Sequence, residues 1–225
     1  MKRREFSGRL VAAGLCLPAA ARAAQLGESD AARGVRAALE RGALAAVGLL
    51  GRSDGFLGNP RVRIPLPPAL AQAERLLRAA GLGRQLDELT TTINRAAEAA
   101  VPQAKALFVA TVKAMSVEDA LAIVRGGDTA VTDFFARKTR TPLGEEFLPI
   151  VTRATEKLRL AERYDVLAGK AAALGLVKDE QASLPRYVTA KALDGLYLTI
   201  GDEERKIRAD PVGTGSALLA RVFGR

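Results

Sequence analysis

Apolar residues recur at three- and four-residue steps through almost the whole chain, and that spacing confines it to helices. The one stretch that alternates with period two, Arg61-Val62-Arg63-Ile64-Pro65-Leu66-Pro67-Pro68, carries several prolines. Proline has no N–H to give to a ladder, so this stretch is barred from a central strand. It is expected to lie as an extended strap over the helices, or at most as a short edge strand, with Val62, Ile64 and Leu66 on one side and Arg61 and Arg63 on the other. The fold class is therefore all-α. We expect a single multi-helix bundle of about eight to ten helices with one extended Pro-rich strap.

Gly and Pro set the boundaries of those helices. The first is expected from Asp30 to Leu50, stopped by Gly51, and the second from Pro68 to Ala80, closed by Gly81 and Gly83. Arg84 to Met115 reads as a long helix with Leu86, Leu89, Ile93, Ala97 and Ala100 on one stripe. Pro102 must bend or end it, because proline removes the bond to the carbonyl four residues back. Ser116, with Glu118 and Asp119 behind it, starts a short helix to Arg125. Asp128 is expected to cap the next, and Thr141-Pro142 to open another that bends at Pro149. Leu160 to Leu174 and Pro185 to Arg208 follow, the two separated by a polar, turn-like stretch at 179–184. A short amphipathic tail, Ser216 to Phe223, is expected to dock on the body.

The N-terminus reads as an address. Lys2, Arg3 and Arg4 precede a short apolar run from Leu10 to Leu17, and Ala21-Arg22-Ala23 is a small-x-small cleavage site. Such a run is too short to span a bilayer, which takes ~20 residues. Residues 1–23 are thus expected to be a cleavable export signal and 24–225 a single helical domain, with a periplasmic destination. Arg3-Arg4-Glu5-Phe6 also fits the R-R-x-F heart of a twin-arginine signal, so both export routes stay open. Cys16 sits near the end of the apolar run, but the bulky Leu15 before it disfavours a lipid anchor.

Composition then narrows the chemistry. The chain holds 34 basic and 25 acidic residues, and residues 1–23 account for five of the former and one of the latter, leaving a net of +5. With three Tyr, seven Phe and no Trp there is no obvious stacking platform, and nucleic acid is not the expected partner. There is no histidine, and the single cysteine lies in the signal. Ser-His and Cys-His pairs are thereby excluded, and zinc, haem-thiolate and iron–sulfur sites lose their usual ligands. No cofactor and no metal site is expected. Carboxylate chemistry, hard-cation binding or a Ser-Lys pair are what remain.

Three places stand out. On the last helix, Leu193, Leu196, Tyr197, Ile200 and Ile207 share an apolar stripe, and Glu204 falls inside it. A buried carboxylate needs a partner, and Arg208, four residues on, is the local one. A structural ion pair is the expectation, with a ligand-binding or catalytic acid as the alternative. Asn94 and Glu98, beside Arg95, flank the small-residue stripe Ile93, Ala97 and Ala100. They are expected on a solvated edge, the alternative being a cleft between helices. In the loop Ser53-Asp54-Gly55-Phe56-Leu57-Gly58-Asn59-Pro60, Phe56 and Leu57 are apolar residues among glycines. They either anchor the loop on the core, which is the expectation, or cover a pocket. Asp54 lacks the spacing of a calcium loop. Glu145-Glu146 and Asp202-Glu203 would suit a glycosidase only if two acids met about 5 to 9 Å apart.

The loop and strap residues, Asp54 to Pro60 with Val62-Arg63-Ile64-Pro65-Leu66-Pro67, resemble the signature stretch of a bacterial family defined only as a domain of unknown function, number 4197. Asn94-Arg95-Ala96-Ala97-Glu98-Ala99-Ala100 with Pro102, and Gly126-Gly127-Asp128, extend the resemblance. So do Phe147-Leu148-Pro149-Ile150-Val151, Lys191-Ala192-Leu193-Asp194-Gly195-Leu196 and Ile207-Arg208-Ala209-Asp210-Pro211. It covers nearly all of residues 28–224. It implies an exported, mostly helical protein, some relatives being lipoproteins, and it assigns no catalytic residue.

Function is accordingly expected to be binding. We expect an exported cell-envelope protein that takes a hydrophobic or lipid-like ligand, or an envelope partner, with Phe56, Leu57, Asn94, Glu98, Glu204 and Arg208 as the candidate residues. The competing classes are a carboxylate-dependent hydrolase acting on envelope polymers and a non-catalytic scaffold.

Overall fold

The computed structural model describes residues 19–157, 159–173 and 184–210. The expected tail at Ser216 to Phe223, residues 179–183 of the turn-like stretch and the signal's first 18 residues lie outside that set. Eight α-helices are labelled in chain order: α1 Ala19–Leu50, α2 Pro68–Leu77, α3 Gly83–Ala100, α4 Ala104–Lys113, α5 Val117–Arg125, α6 Ala130–Lys157, α7 Leu160–Ala173 and α8 Leu184–Ala209. No strand occurs among the described residues, and none of their helices is long and apolar enough to cross a membrane.

The chain stops its helices less often than glycine and proline suggest. Between α2 and α3 the chain kinks within the turn Arg78–Leu82, while from α3 to α4 it stays helical through a 3₁₀ turn at Val101–Gln103. Gly81 breaks the helix as expected: its φ of 80° is non-helical, a conformation open to glycine without steric cost, and α2 and α3 meet there at a kink. Pro102 only bends the helix, and α4 runs on. Thr141-Pro142 does not open a new helix, because α6 passes through both Pro142 and Pro149. Helical segments among the described residues thus number six when α2 to α4 are taken together across the kink at Gly81, fewer than the eight to ten helices expected. The lost backbone bonds are offset by burial. Phe134, Phe135, Leu143, Phe147 and Val151 of α6 are all at or below 2 % exposure.

α6 and α8 form the most extensive helix pair, α1 packs on α8, α4 and α5, and α3 lies against α6. The α3 stripe of Leu86, Leu89, Ile93, Ala97 and Ala100 is fully buried, as its periodicity requires. At the start of α5 the Ser116 hydroxyl accepts from the Asp119 N–H while the Asp119 carboxylate accepts from the Ser116 N–H, a reciprocal capping box.

Between α1 and α2 the strap behaves as its alternation demands. Val62, Ile64 and Leu66 are buried, while Arg61, Arg63 and Pro65 are exposed. The strap crosses α3 and the flank of α8, where the Tyr187 hydroxyl donates to the carbonyl oxygen of Pro65 at 3.1 Å.

Candidate functional site

Residues 51–62 form an irregular loop that closes on itself before becoming the strap. The Gly51 N–H ends α1 on the Val47 carbonyl at 2.8 Å, the Gly58 N–H reaches the Asp54 carbonyl, and the Asn59 carbonyl accepts from both Val62 and Arg63. Asp54 sits at φ 64°, a left-handed conformation that aspartate tolerates better than most residues. Such a loop cannot satisfy its backbone alone, and α3 supplies the missing partners.

Asn94 and Glu98 are those partners, and they are buried, at 0 % and 5 % exposure. The solvated edge expected for them is therefore corrected. The Asn94 Oδ1 accepts the Ile64 N–H at 2.8 Å, and its Nδ2 donates to the Ile64 carbonyl at 2.9 Å and to the Thr90 carbonyl at 2.8 Å. One side-chain amide thus does for the strap what a neighbouring strand would do. One turn on, the Glu98 Oε1 accepts from the N–H groups of both Phe56 and Leu57, at 3.1 and 3.2 Å. Its Oε2 accepts from Arg95 at 2.6 Å, and Arg95 also donates to Asp54 Oδ1 and Ser53 Oγ. Glu98, and then Asp54, hold the Arg95 guanidinium above its ordinary value.

Phe56 anchors the loop. It is fully buried against α8, where Gly195 leaves the space: a Cβ there would lie 2.7 Å from the Phe56 ring and 3.3 Å from Val62 Cβ. Leu57 is half-buried. Two open clefts flank the Pro60–Arg61 corner. One, of about 250 Å³, is lined by Leu49, Arg52, Asn59, Pro60 and Thr199 among others; the other, of about 200 Å³, by Arg61, Arg63, Lys191, Asp194 and Leu198 among others.

Glu204 and Arg208 occupy a different place, where α8 meets the first turn of α6. Glu204 is 4 % exposed, and Arg208 donates to its Oε1 through Nε at 3.1 Å and an Nη at 2.9 Å. The periodicity identified both the burial and the partner. It did not identify the rest: Glu204 also accepts from the Val131 N–H, the Thr132 N–H and the Thr132 hydroxyl, each at 3.1 Å. Glu204, not the expected Asp128, therefore takes up these first-turn donors of α6, and its charge sits at the positive end of that helix. The pocket beside it, between α1, α6 and α8, has a volume of about 20 Å³, room for roughly one water.

The structure thus divides the six candidates. Phe56, Leu57, Asn94 and Glu98 meet in one module; Glu204 and Arg208 form a second. The exposed acids Glu145 and Glu146 lie on α6, and Asp202 and Glu203 are bound to Arg205 and Lys206. Among the described residues, no three side chains of the metal-ligating types come together. Glu88 and Glu162 share one open cleft and Asp119 and Asp133 another, with Asp119 engaged in the α5 cap.

An all-helical bundle with an irregular loop fastened to it by buried polar side chains is the class that this geometry defines. The chain belongs to the family described as protein of unknown function (DUF4197), whose model matches residues 25–224. No curated protein and no solved structure matches it.

Proposed function

We propose that this is an exported cell-envelope binding protein, without catalytic activity, that recognises an envelope partner through the loop and strap at 52–63. The observation that carries this is the buried polar set Asn94–Glu98, which serves to hold an exposed loop in one shape. Buried polar groups are costly unless fully paired, and here their pairing is directed at the loop backbone. A loop fixed this way on a rigid scaffold suits recognition.

The same geometry favours an external partner over a lipid held between helices. Phe56 fills the space at Gly195 as an anchor, and the pocket between α1, α6 and α8 is far too small for an acyl chain. A photo-crosslinking residue at Pro60 should trap an envelope component in fractionated cells, and the same residue at the exposed Arg153 of α6 should not. Equal trapping at both positions, or none at either, overturns the proposal. So would hydrolysis of purified envelope polymer that is lost in Glu88→Gln or Glu162→Gln.

A further inference from the structure

The loop face carries more positive charge than it neutralises. Asp202 is held by both Arg61 and Arg205, and Asp194 lies between Arg140 at 2.6 Å and Lys191 at 3.6 Å. Arg95 serves Asp54 and Glu98 together. Arg52 and Arg63 are surplus: both are exposed, and neither makes a salt bridge among the described residues, Arg63 acting on Asp87 only at a distance. Leu49 and Leu198, 38 % and 39 % exposed, line the clefts on either side of the ridge, and Pro60 stands exposed on it.

We propose that this ridge docks on the anionic lipid surface of the envelope. Arg52, Arg61, Arg63 and Lys191 meet lipid phosphates, and Leu49, Pro60 and Leu198 enter the head-group layer. The inference rests on the preceding reading of this face as the recognition surface, and names its partner. Guanidinium groups suit phosphate oxygens, and juxtamembrane cations gain from the field of an anionic leaflet. A few apolar side chains beside those cations add the short-range part of such an attachment. A folded acidic protein would instead call for a desolvated pocket to hold its anchoring side chains, and the two clefts that flank this ridge among the described residues are open. Because Asn94 fixes Ile64 and Glu98 fixes Phe56 and Leu57, the backbone bearing these cations is already ordered before docking, which lowers the entropic cost.

The test is co-sedimentation of the purified mature chain with vesicles. It should bind vesicles of phosphatidylglycerol and phosphatidylcholine, release as salt rises, and leave pure phosphatidylcholine vesicles unbound. The triple variant Arg52→Gln, Arg63→Gln, Lys191→Gln should lose roughly 10- to 100-fold in partitioning, and the Arg52→Gln, Arg63→Gln pair a part of that. Both variants should keep the parent melting temperature, since these side chains are exposed. Free inorganic phosphate at the lipid phosphate concentration should not compete; displacement by it would point to a site for a soluble anion and overturn the lipid surface. Equal binding to neutral vesicles, no binding at all, or undiminished binding by the triple variant would also overturn it. A protein trapped at position 60 with no binding to vesicles would keep the recognition face and refute this inference alone.

Discussion

Gly195 on α8 faces the ring of Phe56 so closely that one added methyl would sit 2.7 Å from it. This contact is how the loop is seated on the bundle, and a single substitution probes it. Gly195→Ala gains up to ~1 kcal/mol of helix propensity but must displace a fully buried ring, an overpacking that costs about 1–3 kcal/mol. We expect a net loss of stability and faster proteolysis within 52–60. Gly48→Ala is the matched control: it lies on an exposed face of α1 with nothing within 4 Å, and should raise the melting temperature.

Asn94→Asp should be nearly as damaging as Asn94→Ala, although it is almost isosteric. The aspartate retains an acceptor for the Ile64 N–H but turns a carboxylate oxygen toward the carbonyls of Ile64 and Thr90. Each buried polar group left without its partner costs about 1–3 kcal/mol. A carboxyl in that setting has its folded pKa raised, so the variant regains stability as pH falls and loses it as pH rises through that pKa. Chemical denaturation at neutral and acidic pH checks this: the gap from the parent should narrow in acid for Asp and stay constant for Ala.

Glu204→Gln removes the charge from a carboxylate that serves Arg208 and the α6 N-terminus at once. Breaking one side of a buried pair costs ~3–5 kcal/mol, and thermal melts should register it. Vesicle binding by the folded fraction should be unchanged, because this module is separate from the loop face.

Alkaline stability should follow the tyrosines. Burial holds the Tyr197 hydroxyl above its ordinary value of 10.0, outweighing its bond to Thr139 and the nearby Arg140. A raised folded pKa means that this contribution is intact below about pH 10 and is lost as pH rises beyond it. Tyr187 and Tyr164 are shifted the same way by burial. Tyr197→Phe should flatten part of the fall in melting temperature above pH 10, and ultraviolet titration should show fewer late-ionising phenols.

Local grammar was legible in the sequence; its long-range use was not. The α3 stripe, the alternation of Val62, Ile64 and Leu66, the Ser116 start and the Glu204–Arg208 pair all depend on neighbours within about one turn or one pleat. Asn94 and Glu98 looked like an edge because their partners are backbone groups of a loop 30 to 42 residues away, and backbone groups leave no mark in composition. Asp128 looked like the cap of α6 because the actual acceptor, Glu204, arrives from α8, more than 70 residues later. Pro142 and Pro149 looked like a start and a bend within a separate helix, and packing of the flanking phenylalanines carried α6 through both.

The seat of the loop is assembled from the far end of the chain. Gly195, Tyr187 and Asp202 contact residues more than 120 positions earlier, so the loop and strap are not fully seated until α8 is in place. Contacts of such separation carry a larger loop-closure cost and are expected to form after the local helices. A chain still being synthesised, or one clipped ahead of Leu184, would carry the whole of 52–63 with its α3 partners but without the seat that Gly195, Tyr187 and Asp202 provide.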